Sequence, residues 1–240
     1  LVLGQYVSVD GDVISHVNVS SVMAVDGGTY ACTATNAVGA VTHSARLNVY
    51  GLPVVRAMGE VLAVEGQQLV LTCPVGGYPI HSRAWFKEGA PLPVSLRQVV
   101  HKNGSLVIDN VQKNADSGSY ACTASTNSGD KSTQQVQVRV LVPPRILPFS
   151  QDHHLSEGNR LTLTCVVTEG DLPLSIKWFK DGEPLDGREH VSQHTWGEYN
   201  SHLGITNVLP HHAGNYTCRA TNSASSDQQM AALYVNGKGS

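Results

Sequence analysis

Apolar and polar residues alternate along much of this chain. GQQLVLTC, from Gly66 to Cys73, puts Leu69, Leu71 and Cys73 on one face and Val70 and Thr72 on the other. That period of two predicts a half-buried strand. GNRLTLTC, from Gly158 to Cys165, repeats the pattern. A tryptophan follows each octet with a turn signal behind it, in AWFKEGAPL at Trp85 and KWFKDGEPL at Trp178. Next comes a further alternating run, SLVIDNV (Ser105–Val111) or HLGITNV (His202–Val208). Each unit then closes on a shared phrase, DSGSYACTASTNSG from Asp116 or HAGNYTCRATNSAS from His212. The same phrase stands once more, as DGGTYACTATNAVG from Asp26, with neither the octet nor the tryptophan ahead of it.

A recurrence near every ninety residues is too long for a solenoid, whose repeats run about 20–50 residues. It predicts a string of small domains, each with its own modest core. The first unit holds only later strands, in QYVSV, SHVNVSSV, TYACTATN and THSARLNVY. Either its upstream half lies outside this fragment, or a partner supplies that half. The joints YGLP (Tyr50–Pro53) and LVPP (Leu141–Pro144) are short and stiffened by proline. They predict a segment with restricted bending.

Charged residues are 15% of the 240 and the net charge is −3, which leaves no basic footprint for nucleic acid. No apolar run reaches the roughly 18 residues that a membrane helix needs, so no membrane contact by this segment is expected. The five cysteines, Cys32, Cys73, Cys122, Cys165 and Cys218, form no CxxC pair. Four of them fall as two per full unit, and Cys32 is left over.

Cysteine, a tryptophan about a dozen residues on, and a Tyr-x-Cys further along resemble the immunoglobulin superfamily. The resemblance implies an all-β chain of tandem I-set-type sandwiches, the first one incomplete. It implies disulfides Cys73–Cys122 and Cys165–Cys218 between facing sheets, with Trp85 and Trp178 packed on them. Cys32 would be unpaired in this fragment, its partner belonging to the missing half. Tyr30, Tyr120 and Tyr216 match the tyrosine corner, a hydroxyl bonded back to backbone at a tight bend. The family commonly pairs the aspartate that opens the phrase with an arginine. His212 replaces it in the third copy, which should therefore lack that pair.

Narrower phrases resemble the arthropod Dscam (Down syndrome cell adhesion molecule) family. They are YGLPVVR, CPVGGYPIHSRAWFKEGAPLP, VPPRILPF and EGDLPLSIKWFKDGEPL. The implied organisation is 1–50 as the back half of a fifth domain, 51–142 as a sixth, and 143–236 as a variable seventh. Residues 237–240 read as a tail or cloning remnant. The family implies homophilic binding by like domains meeting antiparallel, isoform by isoform, in neuronal self-avoidance, with soluble forms linked to immunity. An unlike ligand, such as a microbial surface or a guidance cue, and a purely structural spacer are the alternatives.

Two disulfides need an oxidising compartment. Sequons at Asn18, Asn103 and Asn215 agree with an extracellular place, on a cell-surface ectodomain or a secreted form, and would accept N-linked glycans. A cytosolic, muscle-type immunoglobulin segment is the rival. No G-x-S-x-G, P-loop or H-E-x-x-H occurs, so neither catalysis nor a cofactor is expected. Seven of the eleven histidines follow residue 150: His153, His154, His190, His194, His202, His211 and His212. His194 and His202 could meet across a hairpin. Solvated surface histidines are the expectation, and no metal site is assigned.

HVSQHTWGEYNSHLGIT, from His190 to Thr206, is dense in His, Gln, Trp and Tyr. Leu203 and Ile205 are expected inward, with His202, Gly204 and Thr206 outward. Trp196 and Tyr199 have no evident core role. Exposed aromatics beside adaptable polar groups suit a binding face. The candidate self-contact is therefore Gln193, His194, Thr195, Trp196, Tyr199 and His202. The alternative is that Trp196 folds back on its own sheet.

Overall fold

The computed structural model describes residues 1–149, 152–185 and 191–237. The regular structure of the described chain is almost wholly strand. In chain order the strands are β1 (Val2–Val7), β2 (Val13–Asn18), β3 (Gly28–Thr35), β4 (Ala40–Leu47), β5 (Gly51–Val55), β6 (Val61–Val64), β7 (Leu69–Leu71) and β8 (Val75–Tyr78). There follow β9 (Ser82–Lys87), β10 (Ala90–Pro91), β11 (Gln98–Val100), β12 (Leu106–Ile108), β13 (Gly118–Ser125) and β14 (Lys131–Leu141). The last are β15 (Arg145–Ile146), β16 (Asp152–Ser156), β17 (Leu161–Glu169), β18 (Ser175–Lys180), β19 (Glu183–Pro184), β20 (Val191–Trp196), β21 (Asn200–Ile205), β22 (Gly214–Thr221) and β23 (Ser226–Asn236). Helix is confined to single turns, among them Lys113–Asp116 and Pro210–His212.

Packing divides the chain into two compact units. One comprises 1–61, 68–110 and 116–139; the other comprises 62–67, 111–115 and everything from Val140 on.

In the first unit, β1–β2 and β3–β4 are antiparallel hairpins. Many of their apolar side chains, Leu3, Tyr6, Val13, Val17 and Val41 among them, are exposed. Leu1, Leu3, Val13, Val17, Tyr30 and Cys32 line an open groove of about 660 Å³, and Cys32 is an exposed free thiol. Further along, β13 runs antiparallel between β9 and β14. Trp85 stands opposite Cys122 in that register, with no solvent exposure. Its indole N–H donates to Gly104 O at 2.9 Å. Gly104 has φ +87, the left-handed region that favours glycine, and a Cβ there would lie 2.2 Å from Arg83 Cδ. Cys73 is bonded to Cys122.

The second unit contains a complete sandwich. One sheet has the order β15-β17-β21-β20 and the other β16-β23-β22-β18-β19. The leading strand is shared between them: β15 pairs antiparallel with β17, whereas β16 pairs parallel with β23. Alternating side chains of both sheets meet in one core containing Leu163, Trp178, Leu203, Ile205, Tyr216 and Leu233. Each large aliphatic side chain so buried contributes about 1.5–3 kcal/mol. Cys165 is bonded to Cys218, and Trp178 lies opposite Cys218 and donates to Ser201 Oγ at 3.0 Å.

All three tyrosine corners are present. Tyr30, Tyr120 and Tyr216 donate to the carbonyls of Asp26, Asp116 and His212 at 2.7, 2.8 and 2.7 Å. The aspartate–arginine pair is found at Asp116. Its carboxylate receives Arg97 Nη1 at 2.9 Å and Nη2 at 3.3 Å, and that hydrogen bonding raises the guanidinium's pKa. In the third copy His212 takes the position, and its Nδ1 accepts the Leu209 N–H at 2.9 Å.

Candidate recognition face

The β20–β21 hairpin is in strict antiparallel register. Gln193 faces Leu203, His194 faces His202, Thr195 faces Ser201 and Trp196 faces Asn200. β17 extends the same sheet, with Leu163 opposite Leu203 and Thr164 opposite His202. Because side chains alternate, this register sorts the residues into two sets. Leu161, Leu163, Cys165, Ser201, Leu203 and Ile205 point into the core and are buried. Thr162, Thr164, Val166, Ser192, His194, Trp196, Asn200, His202 and Gly204 form the outer set.

None of the outer set is an acid, a lysine or an arginine. Toward the β15 edge Arg145 Nη1 lies 3.9 Å from Glu169 Oε1, and Glu198 stands in the β20–β21 turn. Trp196 is 71% exposed, so it does not fold into the core. Its ring meets the His202 ring edge-on, with centroids 5.1 Å apart. His202 Nδ1 is 3.0 Å from Thr164 Oγ1, which anchors the imidazole to the neighbouring strand. Ser192 Oγ donates to Gly204 O at 3.3 Å.

Of the six residues expected to form the contact, His194, Trp196 and His202 share this face. Gln193 and Thr195 fall in the opposite phase of the alternation, and the Gln193 side-chain amide donates to Leu185 O. Tyr199 corrects the expectation that it lacks a core role. It is partly buried against the core, and its hydroxyl donates to Gly170 O at 3.2 Å. The turn at Gly197, with φ +64, swings the chain back so that Tyr199 closes that end of the sandwich. Leu203 and Ile205 point inward, and His202, Gly204 and Thr206 outward, as the alternation predicts. His190, the first residue of the stretch read from the sequence, lies outside the described residues. Thr162, Thr164, Val166, Ser192 and Asn200 were missed. The alternation of GNRLTLTCVV contains the signal for the first three, but nothing local says which strand lies beside the hairpin.

Asn18, Asn103 and Asn215 are all exposed. Asn103 Oδ1 receives both the backbone N–H and the hydroxyl of Ser105, at 3.0 and 2.8 Å. Asn215 projects from β22, which belongs to the sheet opposite the recognition face. Among the described residues, no three or more His, Cys, Asp and Glu side chains are grouped to hold a metal ion. No helix among them is long and apolar enough to cross a membrane.

The immunoglobulin I-set domain model matches residues 53–140, and an immunoglobulin domain model matches 143–222. Cell adhesion molecule Dscam2 of Drosophila melanogaster is 47% identical over 97% of the chain, which spans 11% of that relative. Cell adhesion molecule DSCAM of Homo sapiens is 39% identical over 97% of the chain, which spans 12% of its length. A crystal structure of the N-terminal eight immunoglobulin domains of Down syndrome cell adhesion molecule, isoform 1.30.30, superposes with TM-score 0.93 at 43% identity. That match covers 98% of this chain and 30% of the other.

Proposed function

Because the chain belongs to the Dscam family of immunoglobulin-domain cell adhesion molecules, we propose that it is an extracellular recognition segment that binds a second copy of itself. The contact is made by the sandwich of 143–236, through the outer face of β17-β21-β20. In this reading 143–236 is the seventh and variable domain, 51–142 the sixth, and 1–50 the later strands of the fifth.

The observation that carries the proposal is the absence of formal charge among the outer-set residues of these three strands, with Trp196 exposed at the end of β20. A two-fold contact lays a patch against its own copy, so any charge near the axis meets a like charge. Acids outnumber bases in 143–236, which makes most other surfaces of this sandwich poor candidates. Hydroxyl, amide and imidazole groups can each donate and accept, so they suit self-pairing. A large exposed aromatic ring supplies the anchor such interfaces use. The Asn215 sequon favours the same choice, since a glycan there would cover the opposite sheet and leave this one open.

One small sandwich buries area at the low end of the standard interface. Affinity is then micromolar, about −8 kcal/mol. Several like domains acting together would add avidity. Analytical ultracentrifugation of the chain tests the reading, with Trp196→Ala and Thr162→Glu as variants. Each should weaken self-association about tenfold or more, roughly 1.4 kcal/mol, while circular dichroism stays unchanged. Wild-type strength in both variants rejects this face. A wild-type chain that stays monomeric well above micromolar concentration rejects self-binding and returns the segment to an unlike ligand or a spacer role.

A further inference from the structure

His194 and His202 are directly opposed on neighbouring strands, in the outer set of the sheet. We infer that this pair is half of a transition-metal site, and that a second copy supplies the other half, so that zinc strengthens the self-contact. The inference rests on the self-binding proposed above.

Side chains directly opposite in an antiparallel pair have Cβ atoms only about 4.5–5.5 Å apart, within the span of two imidazoles on one ion. The second observation concerns the His202 tautomer. Its Nδ1 is hydrogen-bonded to Thr164 Oγ1 at 3.0 Å. When Nδ1–H donates to that hydroxyl, Nε2 keeps its lone pair and becomes the ligating nitrogen. An outer partner on the far ring nitrogen is what orients metal-bound histidines. The Trp196 ring against His202 fixes the imidazole from another side.

Within one chain the ligand set stops there, since no group of three or more His, Cys, Asp and Glu is assembled among the described residues. Two imidazoles alone hold an ion weakly. Zinc favours four ligands in a tetrahedron. A two-fold contact supplies two more imidazoles by symmetry, His194 and His202 of the other copy, and places the ion on the axis. Among the described residues, none of the outer set of β17, β20 and β21 is an acid, a lysine or an arginine. The imidazoles would therefore be the dominant ligands. Metal that binds the dimer better than the monomer shifts the equilibrium toward dimer by mass action.

Trp196 provides an internal reporter. Trp85 and Trp178 are buried, whereas Trp196 is exposed with its ring against His202. Cupric ion bound at the pair should quench Trp196 fluorescence.

The experiment is sedimentation of the chain with and without zinc chloride, alongside calorimetric zinc titration and cupric quenching. His194→Gln and His202→Gln serve as variants. Zinc should tighten the dimer about tenfold or more, with about one ion per two chains. Each variant, compared with its own zinc-free dimer, should lose the zinc-dependent gain and the quenching. A dimer that forms but ignores zinc, with no quenching, overturns the metal site and leaves the self-contact standing. Zinc-driven association that persists in both variants assigns the metal to other histidines and also overturns it. Zinc that binds one per chain without any dimer overturns the shared site together with the self-binding on which it rests.

Discussion

The Tyr120 hydroxyl donates to Asp116 O at 2.8 Å from a residue with no solvent exposure. Burial, together with the nearby Asp116 carboxylate, pushes its pKa from 10.0 up to about 12, against the opposing pull of Arg97. The folded chain therefore holds this proton more tightly than the unfolded chain. Its contribution to stability is fully present below about pH 10 and is lost as pH rises through about 12. Two units at about 1.4 kcal/mol each make a loss of roughly 3 kcal/mol over that window. Tyr120→Phe removes the titration along with one buried hydrogen bond. It should cost about 1–2 kcal/mol at neutral pH and then flatten the alkaline fall. Urea unfolding of wild type and variant at steps from about pH 9 to about pH 12 measures both effects. Other tyrosines, lysines and thiol chemistry act on both proteins and cancel in the difference. Parallel decline of the two curves would show that Tyr120 ionisation is not what destabilises the fold, and the reasoning would fail.

Two further outcomes follow from the covalent and ionic frame. Arg97→Ala takes two hydrogen bonds from Asp116, a residue only 1% exposed, and others from the carbonyls of Asp109 and Asn110. It should destabilise by about 2–3 kcal/mol, somewhat below a fully buried pair; urea unfolding showing under about 1 kcal/mol would mean the pair behaves as a surface bridge. Thiol titration of the denatured, unreduced chain should find Cys32 alone reactive, and peptide mapping should recover Cys73–Cys122 and Cys165–Cys218; a second reactive thiol contradicts the pairing.

Period-two alternation made the strands legible, because the phase of an alternating run depends only on residues next to one another. Leu203 and Ile205 inward with His202 and Gly204 outward follow from that phase alone. The same phase, applied across the hairpin, would have separated Gln193 and Thr195 from His194 and Trp196. The cysteine, tryptophan and tyrosine positions were legible through family spacing, since each buries into a core that tolerates little else. Arg97 as the partner of Asp116 was not, because the two meet across a gap in sequence that many arginines could fill. Tyr199 escaped for a related reason: its burial depends on where the turn at Gly197 delivers it against Gly170 O. Strand neighbours are chosen by burial of whole faces, not by adjacent residues. Only the folded sheet could therefore set Thr162, Thr164 and Val166 beside the hairpin, and leave Trp196 standing in solvent among uncharged neighbours of the outer set.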